Sequence, residues 1–442
     1  MKKCLFLAYG GGHTNTLLPV VKKIQLEQGF QVTVIGINLA LEKFREEGIP
    51  CKSLSSYMND EILTQGRDLA LTNHDFSSNV SYVDSIAYYG YSMRDLIKTH
   101  GEKFAYDVLD VYDRRLFLPV DSMKEIISKE QPDVVVVTSM HRFEAATIIA
   151  ANELNIPSIR VEDLMGNINK PFPDKIIVET IDEYNDLLQK GITENKILLN
   201  EELQSDELQA YADEIYQIYY SMQPTKFAVM SDYAKDNIIK RGLLESSIVI
   251  TGQPAFDYLI TKQYDDRYFL EKYNLDLNKK IVTYMSQPLP ERENVLRTII
   301  NSVSKLKDTQ LIIKLHPNED GIIHKLISEE MDYKFTIIKD ELASEIMHLS
   351  DVVITISSTT GIEAALMGKK VLSINLTNNP DFIPFNVMGI GQIAYSQNEA
   401  DIILKTYLDE SCQVDKTQST KERFKADGNS AQRIVDLIKS LV

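Results

Sequence analysis

Along the chain, short apolar runs alternate with stretches whose apolar positions recur at helical spacing. CLFLAY (residues 4–9) passes through a glycine turn into the amphipathic TLLPVVKKIQLEQG (16–29). FQVTVIGI (30–37) is followed by ALEKFREEG (40–48), and PDVVVVTS (132–139) by EAATIIAANELN (144–155) and then IPSIRVED (156–163). Near-continuous Val and Ile runs separated by helices predict parallel strands buried on both faces. A second series begins after VITGQPAFDYL (249–259), with KIVTYMSQ, QLIIKLHP, FTIIKD, VVITIS and KVLSIN. The pattern predicts an α/β protein of two doubly wound, Rossmann-like domains facing across a cleft. The first domain spans 1–255 and the second 256–425, with a final amphipathic helix at 426–442. The stretch 69–123 breaks the rhythm: it is helical in pattern and rich in tyrosine, and reads as a helical insertion in the first domain. Its tyrosines at 82–112 suit either a groove for sugar rings or the core, and the sequence does not choose.

Composition narrows the function classes. With 442 residues the chain is too long for one ordinary core, and 44% hydrophobic residues is normal for a globular protein. A net charge of −17 argues against a nucleic-acid partner, which needs a basic face. Cys4, Cys51 and Cys412 are far apart and form no CxxC pair, so reduced thiols are expected. No run is apolar enough for a membrane span, and the opening MKKCLFLAYGGGH reads as a first strand rather than a leader. A cytoplasmic protein is expected. A peripheral contact with the inner face of the membrane and a homodimer both stay open.

In open parallel sheets, ligands bind beyond the C-terminal ends of the strands, so the residues just after each strand carry the information. TISSTTGIEAALMGKKVL (355–372) places Ser357, Ser358, Thr359, Thr360 and Gly361 between a strand and a helix. Backbone N–H groups at a helix start and four hydroxyls suit a phosphate, and Glu363 suits a ribose diol. The bland alternative is helix capping, for which one such residue is enough. LIIKLHPNED places His316 and Pro317 at another strand end, where the imidazole can donate to a diphosphate or merely order the turn. YMSQPLPEREN offers Ser286 and Gln287, with Arg292 nearby. In the first domain, AYGGGHTNTLL brings Gly11, Gly12 and His13 after the first strand, without the spacing of a dinucleotide fingerprint or a Walker loop.

Together these motifs resemble the GT-B superfamily of nucleotide-sugar glycosyltransferases and its relatives, the UDP-GlcNAc 2-epimerases. GGGH looks like the glycine loop of peptidoglycan-type GlcNAc transferases, and HP with SST resembles bacterial polysialyltransferases and CDP-glycerol polymer transferases. Glu162, in IRVED, falls on the epimerase glutamate. The epimerase Gly-Asp-Thr is replaced by Met140, His141 and Arg142, and MSQPLPEREN lacks the epimerase histidine. On that ground the expectation is a glycosyltransferase that moves a sugar from a nucleotide-sugar donor to a glycan or lipid-linked acceptor in surface-polysaccharide synthesis. An epimerase or nucleotide-sugar hydrolase is the alternative. The resemblance implies no metal and no cofactor beyond the donor. His13, Glu162 and Asp163 are the expected general-base candidates, with His141 behind them. His316, Ser286 and the helix start after Ser358 would stabilise the leaving phosphate.

Overall fold

The computed structural model describes residues 1–163, 165, 175–178, 180–189, 192–193, 196–199, 205–276, 278–377, 379–409 and 417–442. Its contacts divide the chain into one unit of Met1–Ala255 with Asn429–Val442, and another of Phe256–Gly428.

In the first unit the described strands are β1 (Lys2–Ala8), β2 (Phe30–Gly36), β3 (Val134–Val137), β4 (Ser158–Val161), β5 (Ile176–Val178), β6 (Ile197–Leu199), β7 (Lys226–Val229) and β8 (Ile248–Ile250). Six of them form one sheet in the order β2-β1-β3-β4-β7-β8, while β5 and β6 pair separately. Every pair is parallel. Val134 to Val137 are all fully buried, which is why β3 has no polar alternation: helices cover both its faces.

The helical insertion lies between β2 and β3, as helices Asp60–Asn73, Tyr82–His100, Glu102–Tyr112 and Val120–Glu130. It opens earlier than the expected residue 69. Asn59 caps the first helix by accepting a hydrogen bond from the Ile62 N–H at 2.9 Å, and the polar first turn concealed that start from the hydrophobic pattern. Tyr88, Tyr89 and Tyr91 are buried, whereas Tyr106 is exposed. The last helix, Ser430–Lys439, belongs to this unit: Ala431, Ile434, Val435 and Ile438 join a core with Leu17, Val20, Val21 and Ile24 of helix Gly12–Ile24.

The second unit carries β9 (Lys280–Met285), β10 (Thr309–Lys314), β11 (Thr336–Ile338), β12 (Val352–Thr355), β13 (Lys370–Ile374) and β14 (Gln392–Ala394). They form a parallel sheet in the order β11-β10-β9-β12-β13-β14. The order reverses between β9 and β12, and that switch point sets Ser286 and Gln287 beside the hydroxyl-rich turn after β12.

Two doubly wound parallel sheets are thus present, as the alternation predicted. Burial pushes the thiols of Cys4 and Cys51 up to about 12, so both stay unreactive. Cys412 lies outside the described residues. Among the described residues no helix is long and apolar enough to cross a membrane.

Candidate active site

In the first unit, β1 runs out at Ala8 and the chain turns through Gly10 (φ 139°) and Gly11 (φ 53°). A side chain would be strained at either position, so glycine is what lets the helix start at once. The turn delivers His13 into the first turn of helix Gly12–Ile24. From β3 the chain passes Thr138 and Ser139 into helix Arg142–Glu153, whose first turn carries Glu144.

Glu144 is 1% exposed and collects donors from both junctions. It accepts from the Tyr9 N–H at 3.1 Å, from Thr138 Oγ1 at 3.1 Å and from the Ser139 N–H. Its Oε1 also lies 2.9 Å from His13 Nδ1. On the other side of the ring, His13 Nε2 is 3.5 Å from Asp163 Oδ2, just beyond β4. Burial opposes charge on this imidazole, but Glu144 and then Asp163 outweigh it and hold the pKa at about 9. His13 is therefore a cation between two carboxylates at neutral pH. Burial pushes the Asp163 carboxyl up, opposed by His13 and Arg160. Arg160 is itself enclosed, with Nε donating to the Thr138 carbonyl at 2.8 Å.

His141 and Arg142 stand beside this group with different parts. Burial, and then the charges of Arg160 and Arg142, lower His141 to about 4, so its ring is neutral. Its Nδ1 is 3.2 Å from Ser139 Oγ. Arg142 sits at φ 54° and donates from Nη1 to Tyr9 Oη at 3.0 Å, while Tyr9 Oη donates to Tyr88 Oη at 3.2 Å. Glu162 is buried, its N–H on the Ala228 carbonyl at 2.8 Å and its own carbonyl on Gln253 Nε2 at 3.3 Å.

Of the first-domain candidates, the fold thus joins His13 and Asp163 directly, with Glu162 and His141 on adjacent positions. Sequence reading missed Glu144 and Arg160. Glu144 was legible as an acid in the first turn of a helix after a strand, the same signal that singles out Glu363.

In the second unit, Gln287 organises the turn after β12. Its Oε1 accepts from Thr355 Oγ1 at 3.1 Å, from the Ile356 N–H at 3.2 Å and from the Ser357 N–H at 2.9 Å. The Ser358 N–H donates to Thr355 Oγ1 and the Thr360 N–H to Ser358 Oγ, both at 3.2 Å. The expected row of free backbone donors is therefore largely consumed within the turn. The Ser357 and Thr359 hydroxyls and the Thr359 N–H remain without a partner among the described residues. Gly361 answers packing, since a Cβ there would come within 2.6 Å of the Phe385 ring.

Ser286 is buried and its hydroxyl is spent on Glu319 Oε1 at 3.0 Å and His324 Nε2 at 2.9 Å. Glu319 Oε2 in turn accepts the His316 N–H at 3.0 Å and fixes the turn after β10. His316 Nδ1 accepts from the Asn318 N–H at 3.2 Å, which puts the ring proton on Nε2, and Nε2 has no partner among the described residues. Pro317 is exposed next to it. Burial lifts the Glu363 carboxyl to about 7, against a hydrogen bond from Tyr258. Among the described residues no three His, Cys, Asp or Glu side chains are grouped so as to hold a metal ion.

Comparison with known proteins gives this architecture a family. The model of the UDP-N-acetylglucosamine 2-epimerase family matches residues 203–439, more than half of the chain, and the chain belongs to that family. The UDP-N,N'-diacetylbacillosamine 2-epimerase (hydrolyzing) of Legionella pneumophila is 24% identical over 327 residues, covering 72% of this chain and 73% of that one. A putative UDP-N-acetylglucosamine 2-epimerase from Listeria monocytogenes has a similar structure, with a TM-score of 0.60 at 15% identity over 100% of this chain and 96% of that one. A glycosyltransferase from Rickettsia africae matches at a TM-score of 0.55 and 13% identity, over 100% of this chain and 98% of that one.

The expected glycosyltransferase is therefore corrected: the family and the curated relative are epimerases, and the fold is common to both kinds of enzyme. HP, SSTTG and GGGH report that shared fold and so could not separate them. MSQPLPEREN lacks the epimerase histidine and the Gly-Asp-Thr is absent, but Glu144 forms a titratable cluster with His13 and Asp163 beyond the ends of β1, β3 and β4.

Proposed function

We propose that this chain is a hydrolysing 2-epimerase acting on a uridine-diphosphate acylamino hexose, needing no group beyond its own side chains. The observation that carries the reading is His13 held between Glu144 and Asp163. Inverting C2 of a sugar requires one group to take the C2 proton and a route to return it from the opposite face.

The steps balance as follows. The C2–H bond breaks to a carboxylate, its electrons form a C1–C2 double bond, and the C1–O bond breaks with its pair leaving on the UDP phosphate. Water then adds its hydroxyl to C1 and its proton to C2 on the other face, giving UDP and the free epimer. We assign the C2 proton to Asp163: burial raises its carboxyl against the pull of the adjacent His13 cation and Arg160, which makes it a stronger base than an exposed aspartate. Glu144 holds His13 in that charge state and orientation. In the second unit, His316 Nε2 and the hydroxyls of Ser357 and Thr359 are groups suited to a nucleotide phosphate. Glu363 is assigned to the ribose.

The test is turnover in D2O followed by NMR, with UDP-GlcNAc and with a UDP-hexose bearing two acetamido groups. The reading requires UDP release together with a free sugar inverted at C2 and deuterated there. UDP release without deuterium at C2, or no turnover of either sugar nucleotide, overturns it.

A further inference from the structure

His324 is a buried imidazole that the reaction steps leave unused. It is 1% exposed on helix Ile322–Glu330, and its Nδ1 is closed off from solvent with no hydrogen-bond partner among the described residues. Burial lowers its pKa against the pull of Glu319, so the ring is neutral and carries one proton. An unpaired polar atom inside a protein costs stability, a cost that the bond made by the other ring nitrogen must offset.

That bond orders a chain of contacts. Ser286 has a single hydroxyl proton and two neighbours within reach of it, Glu319 Oε1 at 3.0 Å and His324 Nε2 at 2.9 Å. With Glu319 as a carboxylate, both contacts are satisfied in one way only. His324 carries its proton on Nε2 and donates it to Ser286 Oγ, while Ser286 donates to Glu319. The bare nitrogen is then Nδ1, the one without a partner. Glu319 passes the order on: its Oε2 accepts the His316 N–H at 3.0 Å, and its own N–H donates to the His316 carbonyl at 2.9 Å. His316 is thus gripped through both of its backbone groups. Its Nδ1 accepts from the Asn318 N–H at 3.2 Å, which leaves Nε2 to present its proton.

We propose that His324 is a positioning residue for His316, acting through Ser286 and Glu319 to aim the nitrogen that donates to a nucleotide phosphate. The inference rests on the phosphate role given to His316 above and deepens it by adding the support beneath that group. It also gives the Ser286 hydroxyl a use without contact to the ligand.

Calorimetry with UDP tests the proposal through a double-mutant cycle, which needs no turnover. His316→Ala should weaken UDP binding about tenfold, and so should His324→Leu in the wild-type background. In the His316→Ala background, His324→Leu should weaken it by less than about twofold, because the group it acts through is gone. His324→Gln, whose amide can still donate to Ser286, should keep most of the wild-type affinity. If His324→Leu does not fold, Ser286→Ala takes its place in the cycle with the same expected losses. Losses of equal size in the two backgrounds, a His324→Gln as weak as His324→Leu, unchanged affinity in either single variant, or no binding of UDP by wild type each overturn the proposal. The coupling together with no turnover in D2O would sink the epimerase reading alone. Turnover with deuterium at C2 but no coupling would sink this assignment alone.

Discussion

His13 and Glu144 are 131 positions apart in the chain, and His13 Nδ1 lies 2.9 Å from Glu144 Oε1. The contact joins the first turns of two helices that follow neighbouring strands, β1 and β3. It explains how the ring stays charged inside the protein, and it ties the glycine turn to the centre of the sheet.

Replacing Glu144 with Gln keeps the shape and removes the charge. Turnover of the UDP-sugar should fall by roughly a hundredfold or more, the range in which a positioned acid/base system contributes. NMR titration of His13 should show its pKa dropping from about 9 towards the ordinary imidazole value. Unchanged titration would mean that Glu144 does not hold the His13 charge.

The same shift has a signature in stability. The folded-state pKa of His13 is raised above its unfolded value near 6.5. Its contribution is therefore fully present below about pH 6.5 and is lost as pH rises through about 9. Urea midpoints of wild type should fall relative to His13→Gln between those values. Parallel pH profiles for the two proteins would refute the coupling.

Gln287→Ala removes one acceptor that serves three donors around residues 355–357. Leaving buried backbone donors unpaired costs about 1–3 kcal/mol each when water does not replace the acceptor. The urea midpoint should drop and UDP affinity should weaken about tenfold, because the turn that presents Ser357 and Thr359 loses its anchor. A variant with wild-type UDP affinity would show that the turn holds its shape without Gln287.

Helices Asp60–Asn73 and Tyr82–His100 approach through Gly66 and Gly90. A Cβ on Gly66 would lie 2.0 Å from the Ile86 carbonyl oxygen, and one on Gly90 2.2 Å from that of Ile62. Backbone cannot yield as a side chain can, so Gly66→Ala and Gly90→Ala should each destabilise by about 1–3 kcal/mol or more. Thermal denaturation reads this directly, and a Tm equal to wild type in both variants would show that the helices separate without penalty.

Glu363 titrates at about 7, so nucleotide affinity should depend on pH near neutrality. If its ionised carboxylate accepts from the ribose diol, UDP binding tightens as pH rises from 6 to 8, and Glu363→Gln flattens the curve. Calorimetry at those pH values measures it. A pH dependence that survives in the variant would assign the titration elsewhere.

Much of the candidate site was legible because its members sit at strand ends, and strand ends are visible as the last residues of apolar runs. His13, Asp163, His316 and the turn at 357–360 were found in that way. Their partners were harder. Glu144 looks like a helix residue, and Arg160 lies inside an apolar strand whose sequence gives no reason for a charge. Both make sense only once Thr138 and Asp163 are beside them. The surroundings of Ser286 are hidden for a related reason: nothing local shows that His324 and Glu319 will engage its hydroxyl.

The sequence by itself determined the two parallel sheets, since unbroken Val and Ile runs spaced by amphipathic helices have few other ways to bury both faces. It also determined where the turns at the strand ends would fall. Only the tertiary structure decided which turns share partners, that the final helix packs beside helix Gly12–Ile24, and that the helical insertion walls a cavity against the Gly10–Gly11 turn. Periodicity is a local property carried by neighbours three or four residues apart. A charge cluster or a cavity is made by residues far apart in the chain, and their meeting depends on sheet order, which periodicity does not encode.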